Sequence, residues 1–137
     1  MRILGAVMAT AMATVALTGL AGCVAEPDAS GATIYADNCA ACHGAGGMGD
    51  GPMAASLSVS PPDLTGLSAR NDGTFPRTYV MSTIDGYTRG IHFAPDMPEF
   101  GAGDLGEVVV VENPDGTGTP IPVELIALAD YLETLQR

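Results

Sequence analysis

Hydrophobic and polar positions along the chain fall into blocks of different period. Arg2 opens onto Ile3 to Leu20, a run without any charge, which has the charged start and apolar stretch of a secretory signal. Leu20-Ala21-Gly22-Cys23 closes that run, and Val24 to Ser30 is short and polar with no apolar period. Ile34 and Tyr35 then mark a short helix over 32–41. Met53 to Leu57 predicts a helical turn, and Ser60-Pro61-Pro62-Asp63-Leu64 a rigid extended segment, because proline disfavours the helical region for the residue before it. Phe75, Tyr79, Val80 and Ile84 recur at helical spacing and predict a helix over 74–83. Residues 90–103 read as loop. Four consecutive valines between Glu107 and Glu112 predict a strand. Asn113-Pro114-Asp115-Gly116 is a turn signal, and 117–121 can return as a second strand that Pro120 and Pro122 demote to an edge. Val123 to Leu135 closes the chain as an amphipathic helix with Leu125, Leu128, Tyr131, Leu132 and Leu135 on one side.

Between the first helix and a glycine-rich loop stands Cys39-Ala40-Ala41-Cys42-His43-Gly44. Two thiols on one turn, with a histidine beside the second, admit three readings. A thioredoxin-like redox pair needs a βαβ pattern around it, and no strand is predicted before this one. A structural zinc site needs four tetrahedral ligands, and no second cysteine pair exists. Covalent attachment of a c-type haem, one thioether from each cysteine with His43 under the iron, matches the spacing. The following loop, Gly44 to Gly51, lacks lysine and fits no nucleotide fingerprint.

The flanking residues resemble class I cytochromes c over nearly all of 31–136. Gly31 and Tyr35 occupy the places of the small residue and the aromatic on that family's first helix. Leu128 and Tyr131 stand in a segment similar to its last helix, which crosses the first. Pro-Pro-Asp-Leu-Thr resembles a segment common below the haem. Gly51-Pro52 resembles the Gly-Pro whose proline carbonyl bonds the ligand histidine, and Met97-Pro98 resembles the distal ligand and its following proline. The resemblance implies a mainly α, cytochrome c-like fold around one haem c covalently bound through Cys39 and Cys42, with a small β-hairpin inserted before the last helix. It further implies His43 and Met97 as axial ligands of the iron.

Met97 sits with Asp96 between Pro95 and Pro98, and proline restricts the backbone, so the loop can present the thioether in one geometry. Methionine is otherwise core filler. His92, Met81, Met53 and Met48 are the rival ligands. Two filled axial positions leave no site for substrate, which points to one-electron carriage. A haem subunit or redox sensor of a larger membrane complex is the alternative; a haem enzyme would need an open position, and the resembling multi-haem peroxidases carry a second CxxCH. Arg70, Arg77 and Arg89 are candidate partners of the haem propionates. The hairpin is expected to shield one haem edge, with partner docking as its other reading.

With 18 Gly, 10 Pro and no Trp, the roughly 105 residues after the leader suffice for one small domain of limited apolar bulk. Bound haem is expected to complete the core, leaving the apoprotein largely unfolded. Leu20-Ala21-Gly22-Cys23 resembles the bacterial lipobox, which sets 1–22 as a signal peptide, 23–30 as a lipidated Cys23 with a short tether, and 31–137 as the haem domain. Cleavage without lipidation, or retention of the apolar run as a membrane span, are the alternatives. Lipidation leaves no odd thiol in an oxidising compartment. The expected location is the outer, periplasmic face of a bacterial cytoplasmic membrane. A formal charge of -11 and no lysine argue against nucleic acid and for a redox partner with a basic docking face, which Asp96 and Glu99 beside Met97 are placed to meet.

Overall fold

The computed structural model describes residues 30–87, 96–103, 105–113 and 115–137. Cys23, the leader, the tether as far as Ala29, Arg89, His92, Pro95 and Pro114 therefore lie outside the described residues.

Helix α1 (Gly31–Asn38) begins where the Ser30 hydroxyl accepts from Thr33 N, satisfying one of the free amides at a helix start. The predicted single helix is in fact two: the backbone departs at Cys39 (φ -119°) and resumes as α2 (Ala40–His43). Gly44, at φ 78°, ends it, in a region that favours glycine. Helix α3 (Arg77–Asp85) starts later than the spacing of apolar residues predicts, because Pro76 stands at its N-cap. Gly86 at φ 100° closes it, a left-handed C-terminal cap. Val80 and Ile84, four residues apart, are its buried face, while Tyr79 is 57% exposed.

Helix α4 (Val123–Thr134) buries Leu125, Leu128, Ala129 and Leu132. It crosses α1 at Gly31, where an added Cβ would lie 1.9 Å from the Ala127 carbonyl oxygen and 2.8 Å from Tyr131 Cβ. One turn along, the rings of Tyr35 and Tyr131 meet with centroids 5.3 Å apart and planes tilted by 51°, a favoured aromatic arrangement. Arg77 bridges to Asp130 and to Glu133, so α3 is tied to α4 as well as packed on it. These three helices share one apolar core of Ile34, Tyr35, Val80, Ile84, Leu125, Leu128 and Leu132.

Irregular chain fills the rest. Short 3₁₀ turns at Ala54–Ser56, Leu64–Gly66, Ala69–Asn71 and Phe100–Ala102 punctuate the loops, the first within the predicted turn at 53–57. Gln136 fastens the end of the chain to the middle: its amide nitrogen donates to the Leu64 and Leu132 carbonyls and its oxygen accepts from Ser68 N.

The hairpin forms as expected, with β1 (Val108–Glu112) antiparallel to β2 (Gly118–Pro122) and Val110 opposite Pro120. Asp115 accepts from Thr117 N and its hydroxyl, and Asn113 donates to the hydroxyls of Thr117 and Thr119, so the turn is held by its own side chains. Every residue of β1 is exposed. The molecule is thus mainly helical with one small two-stranded insertion before its last helix.

Candidate functional site

A cavity of about 1020 Å³ opens beside the core, at the top of the range of roughly 300–1,000 Å³ usual for ligand sites. All of the core cluster except Leu125 lines it, so whatever fills the cavity completes the core. Cys39, Cys42 and His43 lie on its wall from the α1–α2 end, and Met97 from the 96–103 segment. Of the methionines among the described residues, Met97 alone lines it; Met48 and Met53 are exposed and Met81 packs on the core.

The break between α1 and α2 explains how the thiols are presented. His43 N and Gly44 N donate to the Cys39 and Ala40 carbonyls, one helical turn that carries both cysteines. Gly51 folds back onto it: its amide donates to the Cys42 carbonyl at 3.2 Å, and a Cβ there would lie 2.4 Å from the Ala41 carbonyl oxygen. Gly44 is fixed from the other side, since the buried Tyr35 hydroxyl donates to its carbonyl at 2.8 Å. Burial, with lesser contributions from Cys39, Tyr131 and Asp50, pushes the Tyr35 phenol up to about 12.

Both thiols are free and half-buried. Burial first, and the neighbouring Cys42 second, push the Cys39 thiol up to about 11, so before any bond is made it is a protonated thiol at neutral pH. Burial lowers the His43 imidazole below its ordinary value, with the Pro62 carbonyl acting in the opposite sense. His43 is thereby kept neutral, the form in which imidazole binds metal. Its Nδ1 is buried without a hydrogen-bond partner, so the Pro62 carbonyl faces the ring without closing a bond to that atom. The resemblance placed the carbonyl facing this ring at Pro52; the structure gives that place to Pro62, while Gly51 and Met53 bond the backbone of the thiol-bearing turn instead. The reason is the course of the loop: Leu64 N donates to the Gly47 carbonyl at 2.7 Å, and a Cβ on Gly49 would lie 2.3 Å from the Pro61 carbonyl oxygen, which carries the Pro61-Pro62 pair against the glycine loop.

The charged candidates divide once placed. Arg70 lines the cavity and donates to the Asp63 carbonyl at 2.6 Å. Arg77 does not line it and is engaged by α4, which removes it as a propionate partner. Asp96 and Glu99 both line the cavity, with Asp37 and Glu124. Asp96 is not a free surface charge: its Oδ2 accepts from Ser58 N at 2.9 Å and Ser58 Oγ at 2.5 Å, and these donors hold its carboxyl below the usual range. None of the described residues between Val108 and Pro122 lines the cavity, so the hairpin does not wall it, contrary to the shielding role expected of it. Ser58 and Gln136 carry no signal in the sequence; a lone loop serine and a near-terminal glutamine belong to no pattern, and only their distant partners reveal them.

The rival chemistries lose their geometry. Among the described residues no strand precedes the thiol pair, and no three His, Cys, Asp or Glu side chains gather as a metal site. Two unpaired thiols and a neutral, buried imidazole on the wall of one large, mainly apolar cavity are the residues a thioether-bound haem requires. The sequence model of the family described as Cytochrome c matches residues 29–109. Neither the comparison with curated proteins nor that with solved structures returns a match. The chain belongs to the cytochrome c family, whose covalently attached cofactor is haem c and whose chemistry is electron transfer.

Proposed function

We propose that the protein is a single-haem, one-electron carrier in which Cys39 and Cys42 form the thioethers and His43 and Met97 are the axial ligands. The observation that carries this reading is the presence of both side chains, from separate segments, on the wall of the cavity that the thiols share. Bound haem supplies a one-electron change at iron. The chain's own residues then hold the imidazole neutral, offer a thioether with no charge to neutralise, and keep bulk water off the ring through Ile34, Val80, Ile84 and Leu128. A neutral sulfur ligand raises the potential, and burial acts in the same direction by penalising the ferric charge. Arg70 is the cation on this wall among the described residues and is the proposed propionate partner.

The carrier is further proposed to be exported, anchored through a lipid on Cys23 at the periplasmic face of a bacterial membrane, and to meet a membrane-adjacent redox partner with a basic face. Asp37, Asp96, Glu99 and Glu124 around the cavity support that choice of partner. Mass spectrometry of the mature N-terminus tests the anchor: an unmodified Cys23, or a start elsewhere, refutes it. The test of ligation is Met97→Ala. Haem stays attached, because attachment needs only Cys39 and Cys42, but the weak far-red band of a methionine–ferric bond disappears and imidazole binds readily. Survival of the band refutes Met97.

A further inference from the structure

Met97 stands on a segment attached on both sides. On its C-terminal side the 3₁₀ turn Phe100–Ala102 packs against α3, closely enough that a Cβ on Gly101 would lie 2.1 Å from Asp85 Oδ1. On its N-terminal side the neighbouring residue, Asp96, reaches a residue 38 positions away, taking both the amide and the hydroxyl of Ser58 on one carboxylate oxygen. Bonds to an ionised acceptor are the stronger kind, and the paired donors fix direction as well as distance. Ser58 lies between Leu57 and Val59, which both line the cavity, and the chain continues along it through Pro61 to Pro62. That same Pro62 carbonyl faces His43. The stretch 57–62 is therefore a strap that meets the histidine at one end and the methionine loop at the other.

We propose that Asp96 and Ser58 form a clasp that positions Met97 for the iron, so that Asp96 is a positioning residue and not only a docking charge. The proposal rests on Met97 being the ligand. With the clasp closed, the thioether's loop is held at both ends, and dissociation of the methionine must work against a tethered backbone. With it open, the loop loses its tie to the strap on the N-terminal side, and the methionine leaves more often. Asp96 also carries a charge proposed for docking, so the two roles must be separated by a change that weakens the clasp and leaves the charge. Ser58→Ala does this, deleting the hydroxyl while retaining the amide.

The test uses the full ferric holoprotein and follows loss of the far-red band in saturating imidazole, where the rate is set by methionine dissociation. A hydrogen bond to a charged group, discounted for exposure, corresponds to about three- to tenfold in such a rate. Asp96→Ala is expected to speed displacement by that factor and Ser58→Ala by a smaller one. The double variant should be no faster than Asp96→Ala alone, the mark of a shared interaction. Asp96→Asn, which keeps an acceptor oxygen but no charge, should fall between wild type and Asp96→Ala, and Glu112→Gln, a charge removed from the hairpin, should leave the rate unchanged. Wild-type rates in Asp96→Ala and Ser58→Ala, or strict additivity between them, overturn the clasp while leaving the ligand in place. Absence of the band from the wild type, or its survival in Met97→Ala, overturns the ligand reading and the clasp with it.

Discussion

Where α1 crosses α4, Leu128 and Ala129 are fully buried and the backbones come so close that Gly31 has no room for a methyl group. In the hairpin that precedes α4, Val110 is 73% exposed and β1 has no buried residue. The two regions are held by different physics. The crossing depends on long-range packing between the two ends of the domain, and it shapes the cavity that the thiols line. The hairpin depends on its own ladder and on the Asn113 and Asp115 side chains at its turn, and it touches the helices mainly through Ile121, which packs on the core. The first region is therefore expected to carry most of the stability and the shape of the haem cavity, and the second to tolerate substitution at positions other than Ile121.

That contrast is broken most directly at Gly31. In Gly31→Val the new side chain collides with the Ala127 carbonyl, and helices that share the Leu128 layer must separate. The cost should exceed about 3 kcal/mol, the upper end of ordinary overpacking. Thermal unfolding of the holoprotein measures it, with haem retained by its thioethers even as the fold loosens. A fall no larger than that caused by a hairpin substitution would mean that the crossing is not the mainstay.

A smaller effect sharpens the link between the crossing and the haem motif. Tyr35 packs on Tyr131 and is 2% exposed, and its hydroxyl donates to the carbonyl of Gly44, beside His43. Tyr35→Phe keeps the ring and removes that bond, while Gly47 N still donates to the same carbonyl at 3.1 Å, so the cost is that of one hydrogen bond, about 0.5–1.5 kcal/mol. The same phenol gives a pH dependence. It titrates near 10 when unfolded and at about 12 when folded, so between those values the unfolded chain has released a proton that the folded chain keeps. Stability fully present below pH 10 is therefore lost as pH rises through about 12. Chemical denaturation across that window should show a fall in the wild type that is shallower in Tyr35→Phe; equal slopes would place the titration elsewhere.

How much of this was legible in the sequence follows from the same division. Cys39, Cys42 and His43 were legible because a covalent motif fixes spacing, and the crossing residues Gly31, Tyr35, Leu128 and Tyr131 through the resemblance to class I cytochromes c, with apolar spacing marking the helix that carries the last two. The hairpin was legible because four valines and a turn tetrapeptide are local signals; its failure to wall the cavity was not, since orientation relative to the core is set by contacts that no local pattern encodes. Pro62 in the place expected for Pro52 is a matter of loop course, decided by the Leu64 amide on Gly47. Arg77 on α4 instead of at the cavity depends on where α3 lies across α4, and the bonds of Ser58 and Gln136 are made by side chains with no periodic role.

The smallest effect is expected at the centre of the hairpin. Val110 faces Pro120 across the ladder, and its side chain closes over Gly118, where a Cβ would lie 2.5 Å from Val110 Cγ1. Threonine keeps the branched shape that a strand favours and exchanges one exposed methyl for a hydroxyl that water can serve. Val110→Thr should therefore change stability by no more than about 0.5 kcal/mol, the usual bound for a surface site. It should also leave the haem potential unchanged, because no described residue between Val108 and Pro122 lines the cavity. Glycine's absent side chain makes the position beneath it the sharper comparison: Gly118→Val, which collides with Val110, should disturb the hairpin while the haem spectrum stays as it was. Parallel thermal melts and redox titrations of the two variants read both quantities. A shifted potential in either would mean that the hairpin and the haem pocket are coupled after all, and that the division between packed cage and locally held attachment fails.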